Sequence, residues 1–248
     1  CGYSPDFVWI KERSSTSGHS LFDTLRGAGQ YLGSHSTSVE NTSSTQLTSF
    51  DTDGFTTGLS GGTNQSGQTY AAWTWDAGDN QPSTGHSSVL YRGSGAKQSI
   101  KGFGFSPDLI LFKDRSTSSP LLIDSVRGAH QELQPNSTGA ETSNSGTRIA
   151  SIDADGFSLA NTSVTSLNAS GNNYVAWGWD AGDGDPVSNT TGDINSTVKA
   201  NDATGFSIVS YTGNGTSNSE QTIGHGLSTA PKVVIVKDRT KIRKNRRQ

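Results

Sequence analysis

One cysteine, Cys1, and no methionine stand among the 248 residues. A lone cysteine excludes an internal disulfide framework, so the redox compartment is not legible from cysteine usage. Cys1 followed by Gly2 resembles a processed lipoprotein start, and the missing methionine implies a processed chain or a piece of a longer one. Apolar residues are scarce at 30%, and no apolar run has the length of a membrane-spanning helix, which excludes membrane insertion by that route. Their place is taken by Ser, Thr, Asn and 30 Gly, which are poor helix formers and favour strands, caps and turns. The expected class is therefore all-β with very little helix. A chain of this length is one large β-domain or two to three small ones, with residues enough for real cores.

Charge is also in short supply. The formal net charge is −3, and the five Lys and Arg of "KIRKNRRQ" (241–248) mean that residues 1–240 carry −8. A neutral-to-acidic body with one basic tail does not predict nucleic-acid binding.

What the sequence has in abundance is itself. "YAAWTWDAGD" (70–79) recurs as "YVAWGWDAGD" (174–183), and "LFDTLRGA" (21–28) as "LIDSVRGA" (122–129). "SFDTDGF" (49–55) recurs as "SIDADGF" (151–157). "SPDFVWIKERS" (4–14) recurs as "SPDLILFKDRS" (106–116) and again as "APKVVIVKDRT" (230–240). The period is about 102 residues. Residues 1–84 read as module 1, which lacks its first strand, and 85–183 as a complete module 2. Residues 184–240 read as the start of module 3, able to complete module 1 within the chain or in a neighbouring chain, with 241–248 a basic tail. Closure within the chain is the slightly favoured expectation. In this register Cys1 aligns with Phe103, inside a module, which argues against an anchored start.

The words themselves predict strands. "DFVWIK" and "DLILFK" are continuous apolar runs of strand length, the pattern of a strand buried on both faces. The two Trp of each "WxW" stand two residues apart and so share one face of a strand. Short strands at regular spacing with Gly, Asn and Ser turns read as a β-sandwich of jelly-roll type.

Candidate chemistry has a structural reading beside each functional one. Asp51-x-Asp53-Gly54 and Asp153-x-Asp155-Gly156 resemble the opening of a calcium loop. The EF-hand spacing and its closing Glu are absent, and the third copy, Asp202-Ala203-Thr204-Gly205-Phe206, keeps the Gly and Phe but loses the second carboxylate. A turn tolerates that change better than a metal site, so a turn is the first expectation and calcium the second. Asp180, Asp183 and Asp185, with Asp76 and Asp79, form a second acidic group after the Trp strands, read as a solvated linker before a weak calcium site. Asp23 with Arg26 and Asp124 with Arg127 recur as Asp-x-x-Arg-Gly, read as ion pairs that tie neighbouring strands, with the two Arg facing a glycan as the alternative. Glu40 and Glu141 also recur, but a glycosidase needs two carboxyls across one cleft, which sequence does not place. Trp9 aligns with Leu111 and Ile235 and is expected in the core. Trp73, Trp75, Trp177 and Trp179 are expected in the core before a sugar-stacking platform. His225 aligns with Phe103, against a catalytic role, and sequons at Asn41, Asn64, Asn136, Asn161, Asn168, Asn189, Asn195 and Asn214 matter only in a glycosylating host.

The phrases "PDFVWIKERS", "LFDTLRGAGQYLGSHSTSVE", "FDTDGF", "YAAWTWDAG" and "APKVVIVKDR" resemble the tandem modules of uncharacterised function in tail-fibre-like and other structural proteins of marine tailed phages. The resemblance covers nearly the whole chain to Asp238 and departs from the family at "KIRKNRRQ". It implies a concanavalin A-like sandwich displayed on a virion or extracellular surface, and it carries over no catalytic residue. The resulting expectation is a non-enzymatic structural or adhesive β-repeat protein whose partners are itself, in a homo-oligomer or filament, and other virion or appendage proteins. A lectin-like module for host-surface glycans is the alternative, and a polysaccharide-degrading tailspike the third reading.

Overall fold

The computed structural model describes residues 1–78, 85–161, 166–215 and 219–240. Among these residues there is no helix. The first stretch carries β1 (Phe7–Glu12), β2 (His19–Asp23), β3 (Gln30–Tyr31), β4 (Asn41–Thr42), β5 (Leu47–Asp51), β6 (Gly54–Thr57) and β7 (Tyr70–Trp75). The second carries β8 (His86–Arg92), β9 (Gln98–Lys101), β10 (Leu109–Asp114), β11 (Leu121–Asp124) and β12 (Gln131–Glu132). It continues with β13 (Thr142–Ser143), β14 (Ile149–Asp153) and β15 (Gly156–Leu159). The third carries β16 (Asn173–Trp179), β17 (Val187–Asn189), β18 (Ser196–Asn201) and β19 (Phe206–Tyr211).

The matched words occupy matched places in the sheets. β1 lies antiparallel between β2 and β7, with Trp9 opposite Leu21 and Trp73. β10 lies antiparallel between β11 and β16, with Leu111 opposite Leu122 and Trp177. The second sheet gains β8 on the far side of β16, giving the order β11-β10-β16-β8, whereas the first stops at β2-β1-β7. The hairpin β14–β15 gains β9, while β5–β6 stands as a pair. Both extra strands belong to the stretch before the "SPD" word.

β10 is apolar from Leu109 to Phe112 because both of its faces are covered. Ile110 and Phe112 point into a core with Phe157, Leu159 and Ile149 from the β14-β15-β9 sheet, and Phe112 meets Phe157 edge to face at 4.9 Å. Two antiparallel sheets thus pack through one apolar layer, the arrangement of a β-sandwich. Leu111 and Leu109 point the other way, into a second cluster with Phe7, Leu21 and Leu32 of the first copy. In the first copy Val8 and Ile10 face Phe22, Leu47, Phe50 and Phe55.

The third copy departs from its reading. "KVVIVK" (232–237) matches the central strands of the other two copies in sequence, yet residues 231–238 form no strand, and Val233, Val234, Ile235 and Val236 are 44%, 70%, 69% and 67% exposed. β10 is a strand because β11 and β16 hydrogen-bond its two edges, and among the described residues 233–236 have neither partner. Residues 184–240 also give no described strand to the sheet of module 1, so the slightly favoured closure within the chain is not what the pairing shows: β19 pairs with β18, and β18 with β17. The Asp202 turn leads from β18 into β19, the counterpart of β8, not into a β6-like strand. The basic tail lies outside the described residues.

Truncation of Phe157 to Ala should cost about 3–5 kcal/mol in denaturant unfolding, through lost burial and the cavity left behind. Leu59→Ala, at a side chain 90% exposed, should change stability by less than about 0.5 kcal/mol.

Candidate functional site: the junctions between copies

The two Asp-x-Asp-Gly-Phe words are hairpin turns with their carboxylates engaged. Asp51 accepts hydrogen bonds from Ser49 Oγ at 2.8 Å and Thr56 Oγ1 at 2.7 Å, and Asp153 from Ser151 and Ser158, both at 2.6 Å. The Thr56 hydroxyl, then Ser49, holds Asp51 below the usual carboxylate range, as Ser151 and then Ser158 do for Asp153. Asp53 accepts from the Gly2 backbone N–H, and Asp155 from Gly104 N–H at 2.5 Å, so each turn pins the loop ahead of the neighbouring strand. Gly156 allows this approach: its φ is +145°, and a Cβ there would lie 2.1 Å from the Ile100 carbonyl oxygen.

The second acidic group is dispersed. Asp180 accepts from Gly182 N–H at 2.6 Å and from Asn201 Nδ2 at 3.2 Å, and Asp76 accepts from Gly78 N–H at 2.6 Å. Asp183 and Asp185 are exposed on the loop ahead of β17, and Asp79 lies outside the described residues. Among the described residues no three His, Cys, Asp or Glu stand together as a metal-holding group.

The Asp-x-x-Arg pairs are where the copies meet. Arg26 donates its backbone N–H and its Nε to Asp23, at 2.9 and 2.5 Å, its Nη2 to the Leu21 carbonyl at 2.9 Å, and its Nη1 to Glu40 at 3.1 Å. Arg127 repeats this with Asp124, the Leu122 carbonyl and Glu141, at 2.8, 2.5, 3.2 and 2.7 Å. Each Glu then reaches into the next copy. Glu40 takes a two-nitrogen grip from Arg115, closest at 2.6 Å, and Glu141 the same from Arg239, closest at 2.8 Å. Beside each pair the Glu backbone N–H donates to the Arg carbonyl, at 2.9 and 2.8 Å.

A lysine completes the set. Lys113 Nζ is buried and donates to the carbonyls of Ser118 and, across the junction, Ser38. Lys237 Nζ donates across the second junction to the Gly139 carbonyl at 3.4 Å. Burial pushes the Lys113 ammonium down to about 8, with the Asp114 carboxylate acting the other way. Burial pulls the Glu141 carboxyl upward, but the guanidinium groups of Arg239 and Arg127 outweigh it and leave it below its usual range.

Aromatic rings fill the rest of the junction. Trp177 is fully buried and Trp179 is 5% exposed, so neither offers a ring face to a saccharide. Trp177 donates Nε1–H to Asp23 Oδ2 at 3.0 Å, and the Arg26 guanidinium lies 5.3 Å from its ring centroid. Trp75 is half-buried and meets Trp179 edge to face at 5.7 Å. His86 stacks on Phe7 at 5.5 Å and lies 4.9 Å from Trp179, and its counterpart Phe206 lies 6.5 Å from Trp179. Trp73 stands apart, half-buried against Trp9 at 5.8 Å, while Trp9 donates to His19 Nδ1 at 2.7 Å.

Sequence reasoning found Arg26, Arg127, Glu40 and Glu141 but missed their partners Arg115 and Arg239. The signal was present: both Arg recur in the "KDR" word, as the Glu do in theirs. It also missed Asp6 and Asp108, which tie two strand ends together. Asp6 accepts from Thr24 Oγ1 and Ala77 N–H, and Asp108 from Ser125 Oγ, Ala181 N–H and Lys199 Nζ.

His86 supplies a pH dependence. Burial pushes its imidazolium down to about 3 from 6.5, partly offset by the Gly178 backbone, although no well-formed hydrogen bond reaches either ring nitrogen. The unfolded ring takes its proton near 6.5 and the folded ring near 3, so stability is full above 6.5 and is lost as pH falls from 6.5 toward 3. His86→Phe, the residue at the equivalent position 206, should raise the melting temperature, and the gain should grow as pH falls from about 7 to about 4. For the turns, millimolar calcium or a chelator should leave the melting temperature unchanged, because the hydroxyl groups already occupy the carboxylates.

No curated protein and no solved structure matches the chain. One family model matches it twice, over residues 1–86 and 81–247, with the first match on the β1–β7 copy and the second on everything after it. Together the matches span nearly every residue, and the chain belongs to that family, a domain of unknown function (DUF7483).

Proposed function

We propose that the protein is a non-enzymatic structural protein of β-modules joined in series, serving as an architectural or adhesive element of a virion fibre or another extracellular appendage. The observation that carries this reading is the recurrence of one contact set at two junctions: Arg26–Glu40–Arg115 at the first and Arg127–Glu141–Arg239 at the second. Groups that hydrolytic chemistry would need free are engaged, since each recurring Glu holds two guanidinium groups. The virion setting rests on the resemblance of the motif words to tailed-phage modules.

A lectin-like role has one observation on its side. Trp73 and Trp9 are half-buried on the face of the first sheet whose counterparts in the second, Trp177 and Leu111, are covered. That pair offers a ring surface on which a saccharide can stack.

Serial coupling is tested by calorimetry on the full chain. The wild type should unfold its two copies in one transition. Arg115→Ala, which removes the two-nitrogen grip on Glu40 and leaves that carboxylate with Arg26 alone, should cost about 3 kcal/mol and split the transition in two. Arg13→Ala, at the exposed equivalent position in the first copy, should leave the profile unchanged. Two transitions in the wild type, or an unsplit profile in Arg115→Ala, would overturn the reading, as would release of reducing sugar from a host polysaccharide.

A further inference from the structure

The first junction has a member that the second lacks. At the first, Trp177 of β16 lies over Arg26 and donates to Asp23 Oδ2, and β16 pairs along the whole of β10. At the second, the counterparts of β10 and β8 are in place: residues 231–239 are held through Arg239 and Lys237, and Phe206 lies against Trp179. Among the described residues no counterpart of β16 stands between them. Three consequences are visible. Asp124 Oδ2 receives Arg127 Nε, where Asp23 Oδ2 receives both Arg26 Nε and an indole. Leu122 is half-buried, where Leu21 is buried, and the Arg127 side chain is 4% exposed, where that of Arg26 is fully buried. Residues 233–236, four apolar side chains in a row, face solvent. Monomeric surfaces rarely leave such a run uncovered, and an extended backbone without ladder partners is a template for strand addition.

We propose that residues 233–237, with Leu122, Asp124 and Arg127, form a docking site for the Trp-x-Trp strand of one further module of this kind. The occupant is set by continuity with the completed junction. By the register of β10 on β16, the strand enters antiparallel, its first Trp opposite Ile235 and its second opposite Val233. The first indole N–H is donated to Asp124 Oδ2 and its ring covers the Arg127 guanidinium. The apolar run at 233–236 supplies the buried surface, and Asp124 supplies the selectivity for indole over other aromatic rings.

This deepens the serial-module reading and rests on it, and the test separates the two. A fluorescently tagged peptide of residues 172–181 is titrated into the full chain and followed by anisotropy, with hydrogen exchange read on the protein. Saturable binding is expected, with slowed exchange at the amides of 233–237. Trp177→Phe within the peptide, which keeps the ring and removes the N–H while leaving the protein untouched, should weaken binding about tenfold. Ile235→Lys in the protein should abolish it. No binding at millimolar peptide, equal affinity for the Phe peptide, or protection confined to β7 would each overturn the docking site. If calorimetry shows coupled copies while the peptide fails to bind, only the docking site falls. If the copies are uncoupled, the serial reading itself falls.

Discussion

The Glu40 carboxylate accepts from two guanidinium groups that the chain delivers from different copies, Arg26 from 14 positions before it and Arg115 from 75 positions after it. Everything else at the junction follows from where that carboxylate sits. To reach Glu40, Arg26 must lie flat along the end of β2, and Asp23 holds it there. Lying flat, it presents a cation to the indole of Trp177, and Asp23 accepts that indole's N–H with the same oxygen that binds Arg26 Nε. Such charge-assisted contacts are strong only where water is kept out. The buried Trp177, Trp179, Phe7 and Leu21 exclude it. The apolar and ionic parts of the junction are thus interdependent in a protein with only 30% apolar residues.

The division of labour between the two faces of the central strands explains their composition. One face of β10 builds the sandwich of its own copy, with Ile110 and Phe112, and the other builds the junction, with Leu111. A strand that serves two cores has no position left for a polar side chain until Lys113. That lysine is buried at a cost, visible in its lowered pKa, and reaches two backbone carbonyls, one in each copy. Hairpins away from the junction carry the polar residues, and there carboxylates and hydroxyls of the same turn satisfy one another.

Much of this was legible in the sequence, because period and turn chemistry are local. The all-β class followed from the scarcity of helix formers. The strands β1, β10, β7 and β16 followed from apolar runs and from Trp at alternate positions, and the turns at Gly54 and Gly156 from their neighbours. What was not legible depends on pairing between distant segments. Residues 233–236 have the composition of a buried strand and are not one, because a strand is a property of its neighbours as much as of its residues. Arg115 and Glu40 stand in different words, and no spacing rule relates them. Trp177 and Trp179 are buried as expected of core residues, but their burial at a junction between copies, not inside one sandwich, required the fold, and Trp73 is half-buried apart from it.

One face of each copy offers the glutamate and the other offers the arginine, so the contact is unlike at its two sides. Repeating such a contact applies the same rotation and the same rise at every step, and nothing in it calls for closure. Copy number then acts as a ruler. Adding or deleting one unit in the gene changes the length of the series by a fixed increment, and every new boundary arrives with its surface chemistry already complementary.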